Sequence, residues 1–125
     1  MFRMLRFQRD ELGANPSGAT NFMNKSKMYI CIKQSLPSHK VLGVAHGVLM
    51  AHLKFGNDPE YQAWLSQSFR KVVCEVSDAE FEILKSEPNY VTVTESGLGG
   101  MEIAHVFCPR AQWPERFRQY PLLKV

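Results

Sequence analysis

The sequence has few of the features that mark membrane, secreted or strongly nucleic-acid-binding proteins. No apolar run approaches the roughly 18 residues that a membrane-spanning helix needs. Arg3, Arg6 and Arg9 interrupt the N-terminal stretch, which excludes the apolar region of a secretory signal peptide. The net charge is only +3, from 15 basic and 12 acidic residues, which does not by itself establish nucleic-acid binding. The net charge is also compatible with a negatively charged partner.

Cysteine is also scarce. Cys31, Cys74 and Cys108 are odd in number and form no CxxC pair, and each lies in or beside a predicted strand. We therefore predict free, buried thiols, which are typical of a reducing compartment, and a cytoplasmic location. The sequence points to no cofactor and no metal ion.

The chain has the size and composition of one folded domain. It contains 125 residues, of which 45% are hydrophobic and 22% are charged, as in ordinary globular proteins. Residues 1–23 include the segment GANPSGATN, whose glycine, asparagine and proline are typical of a loop or linker. We predict that residues 1–23 form a flexible leader and that residues 24–125 form the domain.

Hydrophobic periodicity and turn residues divide the domain into strands and helices. Strands are predicted at residues 28–33, 70–76, 90–94 and 101–107, and helices at residues 39–55, from 59, at 78–86 and in the C-terminal tail. The order is β-α-α-β-α-β-β-α. A crossover makes the first two strands parallel, and the last two form a hairpin. We predict an α/β fold with a mixed four-stranded sheet and helices on its faces.

Local signals fix the starts of the predicted helices. Ser38, Asp58 and Ser77 precede three of them and are typical N-cap residues. The helix at residues 39–55 is apolar around most of its circumference, which predicts burial on more than one side.

Short motifs carry a resemblance to a known family. Lys33-Gln-Ser-Leu36 leads to Lys40, Ala45-His46-Gly47 follows, Glu95-Ser96-Gly97 precedes the last strand, and Phe107-Cys108-Pro109 ends it. With the element order, these segments make residues 27–125 similar to the type II peptidyl-tRNA hydrolases. The resemblance implies that fold and metal-free ester hydrolysis that releases a peptide from tRNA. Lys40-Val-Leu-Gly-Val-Ala45 also resembles a bacterial family of the same fold and unknown function.

The sequence departs from the hydrolase pattern at polar positions. The family's helix glutamine corresponds to Val44, or to Gly43 when the histidine is aligned. Its aspartate corresponds to Glu95, and its threonine has no counterpart in Leu98-Gly99-Gly100. We therefore expect this chain to share the fold of the hydrolase family more closely than it shares the family's activity.

Three residues are candidates for catalysis: Lys40, His46 and Glu95. Lys40 begins a helix and suits a phosphate or an ester carbonyl, although a solvated lysine is equally consistent with its position. His46 suits general-base chemistry, or is a hydrogen-bonded packing residue. Glu95 is the acid of a pair with Lys40 or His46, or an exposed and idle carboxylate.

Three further residues are candidates for ligand binding: His39, Arg110 and Arg116. His39 is seven residues before His46, which places the two imidazoles near one helix face. The arginines alternate with Trp113 and Phe117, a combination that suits single-stranded RNA and equally an amphipathic tail.

Two functions follow from these residues. The first is a domain that resembles type II peptidyl-tRNA hydrolases and binds tRNA or another anionic ligand, with weak or no ester hydrolysis. The alternative is a non-enzymatic, homodimeric protein-interaction module. Gly43 and Gly47 lie on one helix face, where they serve either packing within the domain or a homodimer seam. We predict a homodimer.

Overall fold

The fold is a mixed four-stranded β-sheet with helices on its two faces. A computed structural model describes residues 25–124. The predicted leader (residues 1–23) and the predicted start of the domain at Asn24 therefore lie outside the described residues. The elements are β1 (Lys27–Lys33), α1 (Lys40–Phe55), α2 (Pro59–Ser66), β2 (Arg70–Val76), α3 (Asp78–Ile83), β3 (Tyr90–Glu95), β4 (Met101–Phe107) and α4 (Glu115–Gln119).

The strand order across the sheet is β2-β1-β4-β3. β1 and β2 are parallel, with Cys31 opposite Cys74, while β4 is antiparallel to both β1 and β3. This arrangement confirms the predicted α/β fold, the crossover and the hairpin. None of the helices within residues 25–124 has the length and apolarity required to cross a membrane.

Alternation along the strands divides the buried side chains into two clusters. Ile30 and Ile32 of β1 belong to the cluster that includes Ala51 of α1 and Trp64 of α2. Tyr29 and Cys31 belong to the cluster on the opposite face, with Phe81 of α3 and Phe117 of α4. Both faces of the sheet are thus covered, as the short apolar runs of β1 and β2 predict.

The three cysteines are free and buried, which confirms the prediction. Burial raises the pKa of the Cys31 thiol well above its ordinary value. It also raises the pKa of Cys108 to about 12. Both thiols therefore stay protonated near neutral pH, where they are poor nucleophiles.

Two of the three predicted helix caps are confirmed. The Asp58 side chain accepts hydrogen bonds from the amides of Glu60 and Tyr61, and Ser77 accepts one from the amide of Glu80. The prediction for Ser38 was wrong, because α1 begins one residue later, with His39 at the N-cap position and no side-chain cap. His39 has a left-handed backbone, and the Ser38 hydroxyl lies 2.6 Å from His39 Nδ1 instead of bonding to the helix amides.

α1 is buried on one side only, so the prediction of burial on more than one side was wrong. Four of its large aliphatic side chains are exposed: Val41 by 61%, Leu42 by 42%, Leu49 by 60% and Leu53 by 76%. Ala45 is exposed between them. We call Val41, Leu42, Ala45, Leu49 and Leu53 the outer stripe. The described part of the chain leaves this apolar face uncovered.

Gly43 and Gly47 lie on the opposite side of α1, against the sheet. A Cβ atom at Gly43 would meet Ile103 Cδ1 at 2.8 Å, and one at Gly47 would meet Val106 Cγ2 at 2.5 Å. The missing side chains let α1 approach the strands closely. The glycine stripe therefore serves packing within the domain, and a homodimer must use another surface.

We expect Gly47→Ala to lower the free energy of unfolding by about 1–3 kcal/mol, because Val106 is β-branched and has little room to move. Helix propensity alone would change stability by about 1 kcal/mol in the opposite direction. Gly43→Ala is the matched control and should cost less, since Ile103 Cδ1 is the flexible end of its side chain. Urea denaturation of both variants measures the difference. A Gly47→Ala variant more stable than wild type would contradict this packing.

His105 is fully buried between β3 and α3. Its Nε2–H donates to the Phe81 carbonyl oxygen at 3.0 Å, and its Nδ1 lies 2.9 Å from Thr92 Oγ1. The ring stacks on Phe81 with centroids 3.7 Å apart. Burial lowers the pKa of His105, and the Phe81 carbonyl only partly offsets this effect. The neutral imidazole is therefore a satisfied core residue.

We expect His105 to make stability fall with acidification. The unfolded chain begins to bind a proton at His105 below about pH 6.5, whereas the folded chain resists protonation until a lower pH. The stabilisation is thus complete above pH 6.5 and decreases by up to about 1.4 kcal/mol per pH unit as the pH falls. Chemical denaturation between pH 7.5 and 5 measures this slope. It should become shallower in His105→Gln and persist in His46→Gln. Equal slopes in both variants would contradict the assignment.

Candidate functional site

The candidate site lies where α1 begins, beside the carboxyl ends of the parallel strands β1 and β2. Ligands of α/β proteins commonly bind at this edge of the sheet. An open groove of about 450 Å³ lies there and is lined by residues 36–42 together with Leu123 and Lys124. His39 and Lys40 are among its lining residues, and β3 ends nearby at Glu95.

Glu95 is a buried carboxylate, with only 8% of the residue exposed. Its Oε2 accepts a hydrogen bond from the amide of Gly97 at 3.0 Å. Its Oε1 has no hydrogen-bond partner among residues 25–124. His46 Nε2 lies 3.8 Å from Oε1, and its side chain is 48% exposed. The structure thus brings together two of the three predicted catalytic residues, and His46 is not a packing residue.

His39 lies in the neighbourhood of the same carboxylate without bonding to it. A Cβ atom at Gly97 would lie 3.5 Å from His39 Nε2 and 3.2 Å from Glu95 Oε2, so both atoms flank one point. His39 Nδ1 lies 2.6 Å from Ser38 Oγ. The backbone of His39 is left-handed, with φ at 73°, which is uncommon for a residue with a side chain. The missing side chain of Gly97 therefore leaves room for both the imidazole and the carboxylate.

Lys40 pairs with a different carboxylate. Its Nζ lies 3.4 Å from Glu75 Oε2 on β2, and its side chain is 26% exposed. Of the two partners considered for Glu95, the structure favours His46 over Lys40. Lys40 is thus paired with the carboxylate of Glu75. Glu95 is paired with His46, which carries a positive charge only when it is protonated.

The first turn of α1 favours an anion. It contains no acidic residue, and no described side chain caps it. The free amides of a helix start and the helix dipole together attract negative charge. Lys40 and Lys124 line the adjoining groove and add two cationic side chains.

Arg110 and Arg116 lie away from this groove. The Arg110 backbone pairs with Lys27 at the start of β1, while the groove lies beyond the end of that strand. Its side chain forms an ion pair with Glu87 and stacks over Trp113. Arg116 is on α4, on the face of the sheet opposite α1. The predicted ligand-binding role of Arg110 and Arg116 therefore concerns a surface other than the groove, and it stays a prediction.

Four residues of the site were missed by sequence reasoning: Ser38, Glu75, Gly97 and Lys124. Glu75 had a visible signal, because it is the one acidic residue of the strand RKVVCEV and follows an apolar run. The others had none, since their positions beside His39 and Lys40 depend on how the chain folds. Val44 is half-buried and Gly43 faces the core, so neither replaces the glutamine of the hydrolase family.

The chain matches no protein-family model, and no curated protein sequence matches it. Within residues 25–124, no group of three histidine, cysteine, aspartate or glutamate side chains is arranged to hold a metal ion. The function therefore has to be argued from the geometry of the groove.

Proposed function

We propose that this domain binds the phosphate groups of tRNA or another anionic ligand at the start of α1, with weak or no ester hydrolysis. The observation that carries the proposal is the groove of about 450 Å³ in which His39, Lys40 and Lys124 adjoin the uncapped first turn of α1. Lysine and helix amides are common partners of phosphate in proteins.

The neighbouring carboxylates limit the affinity that we expect. Glu75 already contacts Lys40, so a phosphate has to compete for the ammonium group. Glu95 is buried near His39, a lining residue of the groove, and is a second acidic side chain in this region. A shallow, partly neutralised site of this kind supports salt-sensitive binding of modest strength.

The proposal includes the type II peptidyl-tRNA hydrolase relationship that the sequence motifs suggest. His46 Nε2 and Glu95 Oε1 lie 3.8 Å apart, slightly beyond hydrogen-bond distance, and would act as an acid–base pair. Such a pair supports some ester hydrolysis, since an imidazole beside a carboxylate is a competent general base. The polar groups needed to orient substrate and water are missing at residues 43 and 44, so turnover should be weak or absent.

We expect Lys40→Gln to weaken binding of deacylated tRNA by about 10-fold. The plot of log affinity against log salt concentration should also become shallower, by about one unit of slope. Filter binding at about 50 and 200 mM salt measures both quantities. Lys54→Gln is the matched control, because Lys54 lies at the other end of α1 and donates to the Tyr90 carbonyl. Binding that is absent, or insensitive to salt, would refute the proposal and favour the interaction module.

The outer stripe supports the second candidate, a homodimeric protein-interaction module. Contiguous apolar surface of this kind on a protein usually marks an interaction site. Residues 41–53 contain no lysine, arginine, aspartate or glutamate. A two-fold axis across α1 would therefore place the stripe against itself without like-charge repulsion. We propose a second copy of this chain as the partner that covers the outer stripe.

The size of the stripe fits part of a dimer interface. A standard interface buries about 800 Å² on each partner, with an apolar centre and a polar rim. Leu49 and Leu53 would form the centre, and Val41 and Leu42 would stay at the rim, where they line the groove. The two proposed functions are compatible, because the amides and lysines of the groove stay at the rim.

A further inference from the structure

Ser38 and His39 form a hydroxyl–imidazole pair that lines the groove. Ser38 Oγ lies 2.6 Å from His39 Nδ1, and the Ser38 side chain is exposed. A hydroxyl within hydrogen-bond reach of an imidazole can pass it a proton while attacking an electrophile. The pair therefore has the geometry of a nucleophile and its general base.

A buried carboxylate lies in the neighbourhood of the same imidazole. Glu95 Oε2 and His39 Nε2 are both within 3.5 Å of the point where a Gly97 Cβ would stand. The two side chains make no hydrogen bond or ion pair with each other, and the ion-pair partner of Glu95 is His46. Ser38 and His39 thus form a hydroxyl–imidazole dyad, with Glu95 nearby.

The backbone around the pair adds two further features. The left-handed conformation of His39 is costly for a residue with a side chain and is retained only where the surroundings impose it. The amides of the first turn of α1 follow Ser38 directly and receive no side-chain cap from the described residues. Free amides next to a nucleophile are the donors that stabilise an oxyanion.

We infer that Ser38 is a nucleophile activated by His39, and that the chain forms an acyl-enzyme with carboxylic esters that carry an aliphatic acyl group. Leu36, Val41, Leu42 and Leu123 line the groove and suit such an acyl chain. The inference goes beyond the proposed function, because it needs neither tRNA nor Lys40. Both use His39 and the first-turn amides of the groove, but only this inference uses the Ser38 hydroxyl.

Each step of the reaction balances. Ser38 Oγ bonds to the acyl carbon while its proton passes to His39 Nδ1. The ester C–O bond then breaks, and the departing oxygen takes the proton from Nδ1 and leaves as an alcohol. A water molecule next attacks the acyl carbon and gives a proton to Nδ1. The bond to Oγ breaks, Oγ recovers the proton, and the carboxylic acid is released.

An alkyl fluorophosphonate tests the nucleophile directly, because it forms a stable bond with an activated serine. We expect one adduct on the full chain, mapped to Ser38 by peptide mass spectrometry, and none there in Ser38→Ala. Ser35→Ala is the matched control, since Ser35 is also exposed but donates to Asp78. His39→Asn should slow labelling at least about 100-fold while preserving the backbone, because asparagine tolerates the left-handed conformation. Thermal midpoints of all variants verify that they are folded.

Two outcomes overturn the inference: a wild-type chain that forms no adduct, and an adduct that persists in Ser38→Ala. Binding of tRNA to the wild-type chain is measured in parallel. An adduct without salt-sensitive tRNA binding refutes the proposed function alone, and salt-sensitive binding without an adduct refutes this inference alone.

Discussion

Peptidyl-tRNA is expected to be cleaved by this chain at least about 100-fold more slowly than by an authentic type II peptidyl-tRNA hydrolase. Removing one well-placed polar group from an active site commonly costs about 10²–10³-fold in rate. Here the positions of the family's glutamine hold Gly43, which packs against Ile103, and half-buried Val44. Gly99, near the missing threonine, has no side chain either. No described side chain at these positions can orient a substrate.

Single-turnover hydrolysis of a labelled peptidyl-tRNA measures this rate, beside an authentic hydrolase as reference. The residual rate should depend on the His46–Glu95 pair, so His46→Gln should reduce it further. Lys40→Gln should act mainly on binding, because Lys40 contacts Glu75 and not Glu95. Turnover as fast as that of the reference, abolished by Lys40→Gln, would show an enzyme with a rearranged site and refute the expectation.

The second large effect concerns association through the outer stripe. We expect the wild-type chain to be a dimer, and Leu49→Lys combined with Leu53→Lys to raise the dissociation constant at least about 100-fold. In a two-fold symmetric dimer, the double substitution removes four leucines from the interface. Each buried leucine contributes about 1.5–3 kcal/mol to association. The variant should stay folded, because lysines near the end of a helix are favoured by its dipole.

Light scattering over a dilution series gives the dissociation constants. Ile83→Lys is the matched control, because Ile83 is also an exposed aliphatic residue but lies on α3, away from the stripe. It should leave the dimer intact. A wild-type chain that is monomeric at high concentration, or a lysine variant that is still dimeric, would exclude the outer stripe as the interface.

The sequence by itself determined the secondary structure and the class of the fold. The bounds of β2 and β4 agree with the prediction at both ends, and Asp58 and Ser77 cap the helices as expected. These features depend on neighbours a few residues apart: period-two alternation in strands and side-chain bonds to nearby amides. The parallel crossover followed from the order of the elements, because few topologies are compatible with it.

The site was determined by the sequence only in part. Four site residues were predicted from the sequence: His39 and Lys40 at the start of α1, His46 one to two turns later, and Glu95 at the end of β3 beside His46. Their partners could not be chosen in the same way. Glu75 and Glu95 are both acidic residues on strands, and which one reaches Lys40 depends on the sheet order β2-β1-β4-β3. That order brings together residues far apart in sequence, for which no local pattern exists.

The tertiary structure alone decided which sides of α1 are covered. The sequence of α1 is apolar around most of its circumference, and this pattern is the same for a helix enclosed on all sides and for one with an open face. The sheet takes the side of Gly43 and Gly47, because only glycine allows so close an approach to Ile103 and Val106. The described elements reach no further around the helix, so Leu49 and Leu53 are left exposed. Burial depends on which surfaces the whole fold brings into contact, and hydrophobicity along one helix does not specify them.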